Sequence, residues 1–125
     1  MSEVAVREMR MNLTKSVLAS DTRAVMHTWL AEVGCSQEVI GDALIVVDEL
    51  VTNVVTHAES DSVVVAVLDD MRLRLEVHDS DPTPPVAVEP TSAGGLGLLI
   101  VAALSDSWGW RPTEYGKRVW TETLC

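Results

Sequence analysis

The feature that most restricts the fold of this chain is an apolar stripe through its first half. Its members recur at spacings of three and four residues: Val39, Ile40, Ala43, Val46, Val47, Leu50, Val51 and Val54. Residues at that spacing lie on one side of an α-helix, so the stripe predicts a helix of roughly four turns packed on another layer. Ser36 can cap its start, and we expect it to run to about Ala58.

A shorter helix and an edge strand are predicted before this long helix. Ser20 or Asp21 can cap the shorter helix, and Gly34 can end it in a left-handed turn. Its apolar positions recur at three and four: Val25, Met26, Trp29, Leu30 and Val33. Residues 11–17 are expected to form the edge strand.

A β-hairpin is predicted after the long helix. Residues 62–68 are rich in valine, and residues 72–79 alternate between apolar and polar, with Asp69 and Asp70 as the turn. The alternation turns Leu73, Leu75, Val77 and Asp79 to one face. It turns Glu76 and His78 to the other, where we expect solvent around them.

The second half of the chain completes an α+β fold. Residues 80–95 hold four of the five prolines and form a long loop, which suits a lid or a binding segment. A short helix over 96–104 and a hairpin of strands 107–111 and 118–123 follow, and Trp108 and Trp110 share one strand face. We predict a single domain over residues 1–125, a two-layer α/β sandwich with a mixed, mostly antiparallel sheet and helices on one face.

Charge and composition exclude several kinds of function. Nineteen acidic and nine basic residues give a formal net charge of −10, which would repel a phosphate backbone, so we expect no direct nucleic-acid partner. The apolar runs are shorter than the roughly 20 residues of a membrane span, and the N-terminus lacks the pattern of a signal peptide. A cytoplasmic location is expected, with Cys35 and Cys125 as ordinary thiols.

Two side chains near the end of the long helix are candidates for phosphate chemistry. Glu49 and Asn53 are four residues apart and therefore lie one above the other on the helix. A carboxylate can accept a proton from a hydroxyl, and an amide oxygen can bind a hard cation such as Mg2+. The alternative is a solvated pair on an exposed rim, because this spacing occurs on many helices.

Asp79 and a glycine-rich stretch are the other candidates. Asp79 continues the inward face of its strand, so its carboxylate needs a hydrogen-bond partner, and the exocyclic amine of a purine would serve. It could instead bond its own backbone as a turn residue. The glycines of the stretch 94–98 let the backbone approach a ligand, and the free amides of the helix that follows can bind phosphate, although such a stretch can also be a plain loop end.

Four segments containing these residues, taken together, resemble the anti-sigma-factor serine/threonine kinases. The segments are residues 48–58 (DELVTNVVTHA), 77–82 (VHDSDP), 94–101 (GGLGLLIV) and 116–120 (GKRVW). The resemblance covers about residues 11–124. These kinases belong to the ATP-binding superfamily of gyrase, histidine kinases and MutL.

The resemblance implies a Bergerat-type fold with ATP between helices and sheet. It implies that Glu49 is the general base, Asn53 the magnesium ligand and Asp79 the reader of the adenine amine. The backbones of Gly95, Leu96, Gly97 and Leu98 would contact the phosphates. It further implies transfer of the γ-phosphate of ATP to a serine of an anti-anti-sigma protein, sequestration of a sigma factor, and a homodimer.

Three positions differ from the family pattern and leave other functions open. Thr56 stands where many superfamily members have a lysine or arginine, a cation that His57 or Arg118 would have to replace. Asp81 stands where a glycine is usual, and Arg118 where a threonine is common. A catalytically inactive, nucleotide-gated binding module is therefore the main alternative. An isolated catalytic domain of a histidine kinase and an unrelated α+β protein are the others.

Overall fold

A five-stranded sheet forms one layer of the molecule. The structure is a computed structural model that describes residues 6–14, 19–58, 60–85 and 97–125. The strands are β1 (Val6–Leu13), β2 (Ser62–Asp69), β3 (Arg72–Asp79), β4 (Ser107–Pro112) and β5 (Lys117–Leu124). They lie in the order β1-β2-β3-β5-β4, and each neighbouring pair is antiparallel. The predicted α+β class with a mostly antiparallel sheet is confirmed, and the described strands are antiparallel throughout.

Three helices form the second layer. They are α1 (Ala19–Glu32), α2 (Gln37–Asn53) and α3 (Gly97–Leu104), and a π-helical turn, Val54–Ala58, continues α2 without a break. Helix α2 contacts α1, α3 and β3, so it is the central helix of the layer. None of the described helices is long and apolar enough to cross a lipid bilayer.

The apolar stripe of α2 forms the centre of the core, as predicted. The Ser36 hydroxyl accepts a hydrogen bond from the Val39 amide at 3.2 Å and so caps the helix. Seven of the eight stripe residues are buried, all except the partly buried Val39. Burial of a valine side chain contributes roughly 1.5–3 kcal/mol, so the stripe is a large part of what holds helix and sheet together.

Helix α1 ends where the sequence predicted but begins earlier. Gly34 has a φ of +90°, and the Cys35 amide donates to the Leu30 carbonyl at 3.0 Å, the bond pattern of a Schellman motif. Because α1 begins at Ala19, the proposed capping role of Ser20 or Asp21 is wrong. Asp21 lies in the first turn, where a negative charge is favourable against the helix dipole.

The predicted hairpin is β2 and β3, with its turn one residue later than expected. Asp69 is still paired, opposite Arg72, and Asp70 has a φ of +58°, so the turn is Asp70 and Met71. A cross-strand pair of opposite charges favours this register.

The predicted edge strand corresponds to β1, which begins five residues earlier than expected, at Val6, and ends at Leu13. Residues 15–17 of the prediction lie outside the described part.

The outer face of the sheet carries an ion-pair network where we expected solvated side chains. Glu76 accepts hydrogen bonds from Arg74 at 2.6 Å and from His78 at 2.8 Å, and Arg74 also pairs with Glu122 at 2.9 Å. Burial alone would raise the pKa of Glu76, but the bonds from Arg74 and His78 outweigh it and hold that pKa below its usual value. The expectation of solvated Glu76 and His78 is therefore wrong.

The two cysteines form a disulfide, which corrects the expectation of free thiols. Cys35 precedes α2 and Cys125 follows β5; their Cα atoms are 5.6 Å apart, within the usual range for a disulfide. The two cysteines are 90 positions apart, so no local sequence pattern indicated the contact. The fold creates it by laying the end of β5 beside the loop between α1 and α2.

Candidate functional site

The first turn of α3 lies directly against Glu49 and Asn53 of α2. A Cβ atom added to Gly97 would be 3.0 Å from Oε2 of Glu49 and 3.2 Å from Oδ1 of Asn53. A side chain at this position would therefore displace the ends of the Glu49 and Asn53 side chains, whereas glycine leaves them in place. The structure thus brings together three residues that are up to 48 positions apart in the sequence.

Helix α3 begins at Gly97, the residue that lies beside Glu49 and Asn53. The amide groups in the first turn of an α-helix have no partner within the helix, and they attract anions. Gly97 supplies the first of them beside the carboxylate and the amide of α2. Leu98 follows it, and its side chain is buried in the core, so only its backbone is placed for binding. Gly95 and Leu96, also predicted to contact phosphate, lie outside the described residues.

The backbone changes its helical form immediately after Asn53. The turn Val54–Ala58 is π-helical, and the Val54 amide is shared between the carbonyls of Leu50 and Val51. Single π-helical turns inside longer helices occur often at functional sites. Thr56 and His57 are exposed on this turn.

Glu49 and Asn53 offer the ligand types that a magnesium ion prefers. Mg2+ binds oxygen donors and usually keeps several waters, with one or two protein ligands plus substrate phosphates. The oxygen atoms beside Gly97 fit such a sparse site. Within the described ranges no group of three or more His, Cys, Asp or Glu side chains could hold a metal ion.

Asp79 ends β3 with its side chain turned toward the helices, as predicted. It is buried, and its carboxylate is paired with Lys117, the residue opposite it in register on β5. The Nζ atom of Lys117 lies 3.0 Å from Oδ2 and 3.1 Å from Oδ1 of Asp79. The Asp81 amide also donates to Oδ1 at 2.8 Å, so Asp79 has the turn contact that the sequence had left as an alternative.

The loop that follows Asp79 is held by a hydrogen bond within it and by close packing against Gly116. The Asp81 side chain accepts a hydrogen bond from the amide two residues further on, that of Thr83, at 2.9 Å, as Asp79 does from the amide of Asp81. This bond lowers the pKa of the Asp81 carboxyl. On the other side, a Cβ atom on Gly116 would collide with the Asp79 carbonyl oxygen and come within 2.6 Å of Ser80. The chain therefore needs glycine there for β5 to begin so close to the end of β3.

Lys117 is the residue of this site that sequence reasoning missed. Its charge suggests a surface residue, yet its side chain is only 9% exposed. A signal was present, because Lys117 shares the parity of Val119 and Thr121, both of which face the helices. A lysine on the inward face of a strand predicts a buried partner of opposite charge.

Arg118 points away from these residues. Its guanidinium lies 4.0 Å from Glu76 on the outer face of the sheet. Arg118 therefore does not replace the lysine or arginine that is usual at the position of Thr56. The suggestion that it could do so is wrong.

A separate concavity of about 450 Å³ lies at the end of the sheet near Asp79. Its walls include Arg10, Asn12, His78 and Tyr115, and Asp79 and Ser80 reach its edge. This volume is in the range of small-molecule sites. Glu49 and Asn53 are not among its lining residues, so it is distinct from the pair on α2.

Comparison with known proteins agrees with this layout. The structure is similar to that of the RsbU and RsbW domains of Rv1364c from Mycobacterium tuberculosis, with a TM-score of 0.75 and 23% sequence identity. The match covers 94% of this chain and 32% of that one, so this chain spans about a third of that protein's length. No curated protein matches the chain significantly. The sequence model of the histidine kinase-like ATPase domain matches residues 11–122, and the chain therefore belongs to that family.

Proposed function

We propose that this protein is a Mg-ATP-dependent serine kinase that phosphorylates an anti-anti-sigma protein and also sequesters a sigma factor. The observation that carries the proposal is the contact of Gly97 with Glu49 and Asn53, which gathers a carboxylate, an amide oxygen and free helix amides at one place. The family assignment supports ATP binding. The similarity to a structure that contains an RsbW domain supports the choice of a regulatory kinase within that family.

Each group has a role that follows from its chemistry. Asn53 would hold Mg2+ through its amide oxygen, and the ion, when bound, supplies neutralisation of phosphate charge. The amides of Gly97 and Leu98, preceded by those of Gly95 and Leu96, would donate to phosphate oxygens. Asp79 would accept a hydrogen bond from the exocyclic amine of adenine.

Glu49 would act as the general base. It would take the proton of the acceptor serine as the serine oxygen bonds to the γ-phosphorus and ADP leaves with the bridging oxygen. Phosphoryl transfer depends mainly on positioning and on charge stabilisation, so few protein groups are needed. A single carboxylate beside the phosphate-binding amides is sufficient for this step.

Transfer of labelled phosphate from ATP to candidate anti-anti-sigma proteins tests the proposal. Glu49→Gln should lower the transfer rate about 100-fold or more, because a positioned general base contributes that much. Glu38→Gln is the matched control, since Glu38 is an exposed acid in the first turn of the same helix. No transfer by the wild type to any candidate, or equal rates for wild type and Glu49→Gln, would refute the kinase.

A binding module without catalysis is the second candidate, and one observation favours it. Arg118 faces away from α2 and Thr56 is uncharged, so of the two cations that the sequence suggested as replacements, His57 is the one that remains. In this case the protein would capture a sigma factor as a homodimer without phosphorylating a partner. Capture that is independent of ATP and unaffected by Asn53→Ala would favour the module over the kinase.

A further inference from the structure

We propose that Lys117 is a positioning residue for nucleobase recognition: it fixes the Asp79 carboxylate so that Oδ2 keeps an acceptor site for the exocyclic amine of a purine. The inference rests on the proposed function, because it assumes that Asp79 meets the base. It concerns a residue that the general chemistry of phosphoryl transfer does not require.

The ammonium group of Lys117 has no donor left for a ligand. A lysine carries three N–H donors. They match three acceptors near Nζ: Oδ1 of Asp79 at 3.1 Å, Oδ2 of Asp79 at 3.0 Å and the Asp81 carbonyl at 3.0 Å. Lys117 therefore acts on a ligand through Asp79 and does not bind it directly.

The two oxygens of Asp79 are used unequally. A carboxylate offers about two acceptor sites on each oxygen. Oδ1 accepts from both the Asp81 amide and Lys117, whereas Oδ2, among the described residues, has only the ion-pair contact with the Lys117 ammonium group. Within the described part of the chain, an acceptor site on Oδ2 therefore remains for a donor. The amine of adenine is such a donor, but the carbonyl oxygen that hypoxanthine carries at the same position would repel the carboxylate.

Burial makes this arrangement rigid. The side chains of Asp79 and Lys117 are 2% and 9% exposed, so neither charge can turn to water without leaving the other unpaired. Gly116 brings the start of β5 against Asp79 and Ser80, which fixes the backbone beneath Lys117. A buried, oriented carboxylate discriminates strongly between ligands, because water cannot replace a hydrogen bond that the wrong base fails to make.

The test compares binding of Mg-ATP and Mg-ITP by isothermal titration calorimetry. ITP carries hypoxanthine and lacks the amine. The wild type should prefer ATP by about tenfold or more, the range expected for a hydrogen bond to a charged group. Lys117→Met and Asp79→Asn should each bring the ratio of the two dissociation constants close to one. Arg118→Met, which removes a cation from the next residue but on the outer face, should keep the wild-type ratio.

The ratio separates a positioning role from a purely structural one. A structural ion pair would make Lys117→Met weaken ATP and ITP equally, and a folded Lys117→Met with the wild-type ratio would overturn the inference alone. If this variant does not fold, Lys117→Gln, whose amide keeps two N–H donors without the charge, is measured in its place: a ratio close to one supports the inference, and the wild-type ratio overturns it. A wild type that does not bind ATP would overturn the proposed function as well.

Discussion

Gly97 occupies the point at which α3 comes closest to the side chains of α2. A methyl group there would lie 3.0 Å from Glu49 Oε2 and 3.2 Å from Asn53 Oδ1, closer than ordinary contacts allow. The two polar side chains would have to move, while the helix itself would gain from replacing a glycine by an alanine. Function and stability are thus expected to respond in opposite directions at this residue.

Gly97→Ala should therefore weaken Mg-ATP binding about tenfold or more while the melting temperature stays the same or rises. A displacement of about 1 Å in a positioned group is enough for a loss of this size. Calorimetric titration and thermal unfolding measure the two effects. Gly41→Ala is the control, because a Cβ atom at Gly41 meets nothing within 4 Å. Wild-type affinity in Gly97→Ala would mean that Glu49 and Asn53 do not bind the nucleotide.

A second prediction at this scale concerns the acid stability given by Glu76. Its pKa in the folded protein is below the ordinary value of 4.5, so its ionised form stabilises the fold above that pH and the contribution is lost as the pH falls through the lower value. The free energy of unfolding should fall more steeply below about pH 4.5 in the wild type than in Glu76→Gln. Urea unfolding at a series of pH values measures the slopes; parallel curves would contradict the prediction.

Individual elements show which parts of the fold were readable from sequence. The stripe of α2, the Gly34 stop of α1 and the alternation of β3 were predicted because each depends on local periodicity or on one backbone requirement. The π-helical turn after Asn53 was not, since no residue in Val54–Ala58 demands it. In the candidate site, too, the residues set by local sequence were predicted and those set by tertiary structure were not. Glu49 and Asn53 lie on one helix and were found, whereas the Lys117 contact depends on strand register and was missed.

The cap of α2 is the element whose energetic contribution is easiest to test. Ser36→Ala removes the hydroxyl that accepts from the Val39 amide, and it should lower the free energy of unfolding by about 1 kcal/mol. Chemical denaturation measures the difference. Ser36→Asp keeps an acceptor at the same position and should restore most of the loss. An unchanged unfolding midpoint in Ser36→Ala would show that water satisfies the helix start equally well.

At the scale of the whole molecule, a disulfide connects the sheet layer to the helix layer. The disulfide joins Cys125, after β5, to Cys35, before α2, and the Cys125 amide also donates to the Met71 carbonyl at 2.6 Å. The helix that carries Glu49 and Asn53 and the strand that carries Lys117 are therefore linked covalently. No local stretch of sequence could have revealed this link, because the two cysteines are 90 positions apart.

Cys125→Ser should lower the free energy of unfolding under oxidising conditions by about 2–4 kcal/mol, because a bond that spans 90 residues restricts the unfolded chain strongly. Urea unfolding of the wild type and of the variant, each with and without dithiothreitol, measures the effect. The reductant should bring the wild type to the level of the variant and leave the variant unchanged. Equal stability of the oxidised and reduced wild type would show that the packing of β5 against the helices already fixes the C-terminus and that the disulfide adds nothing to it.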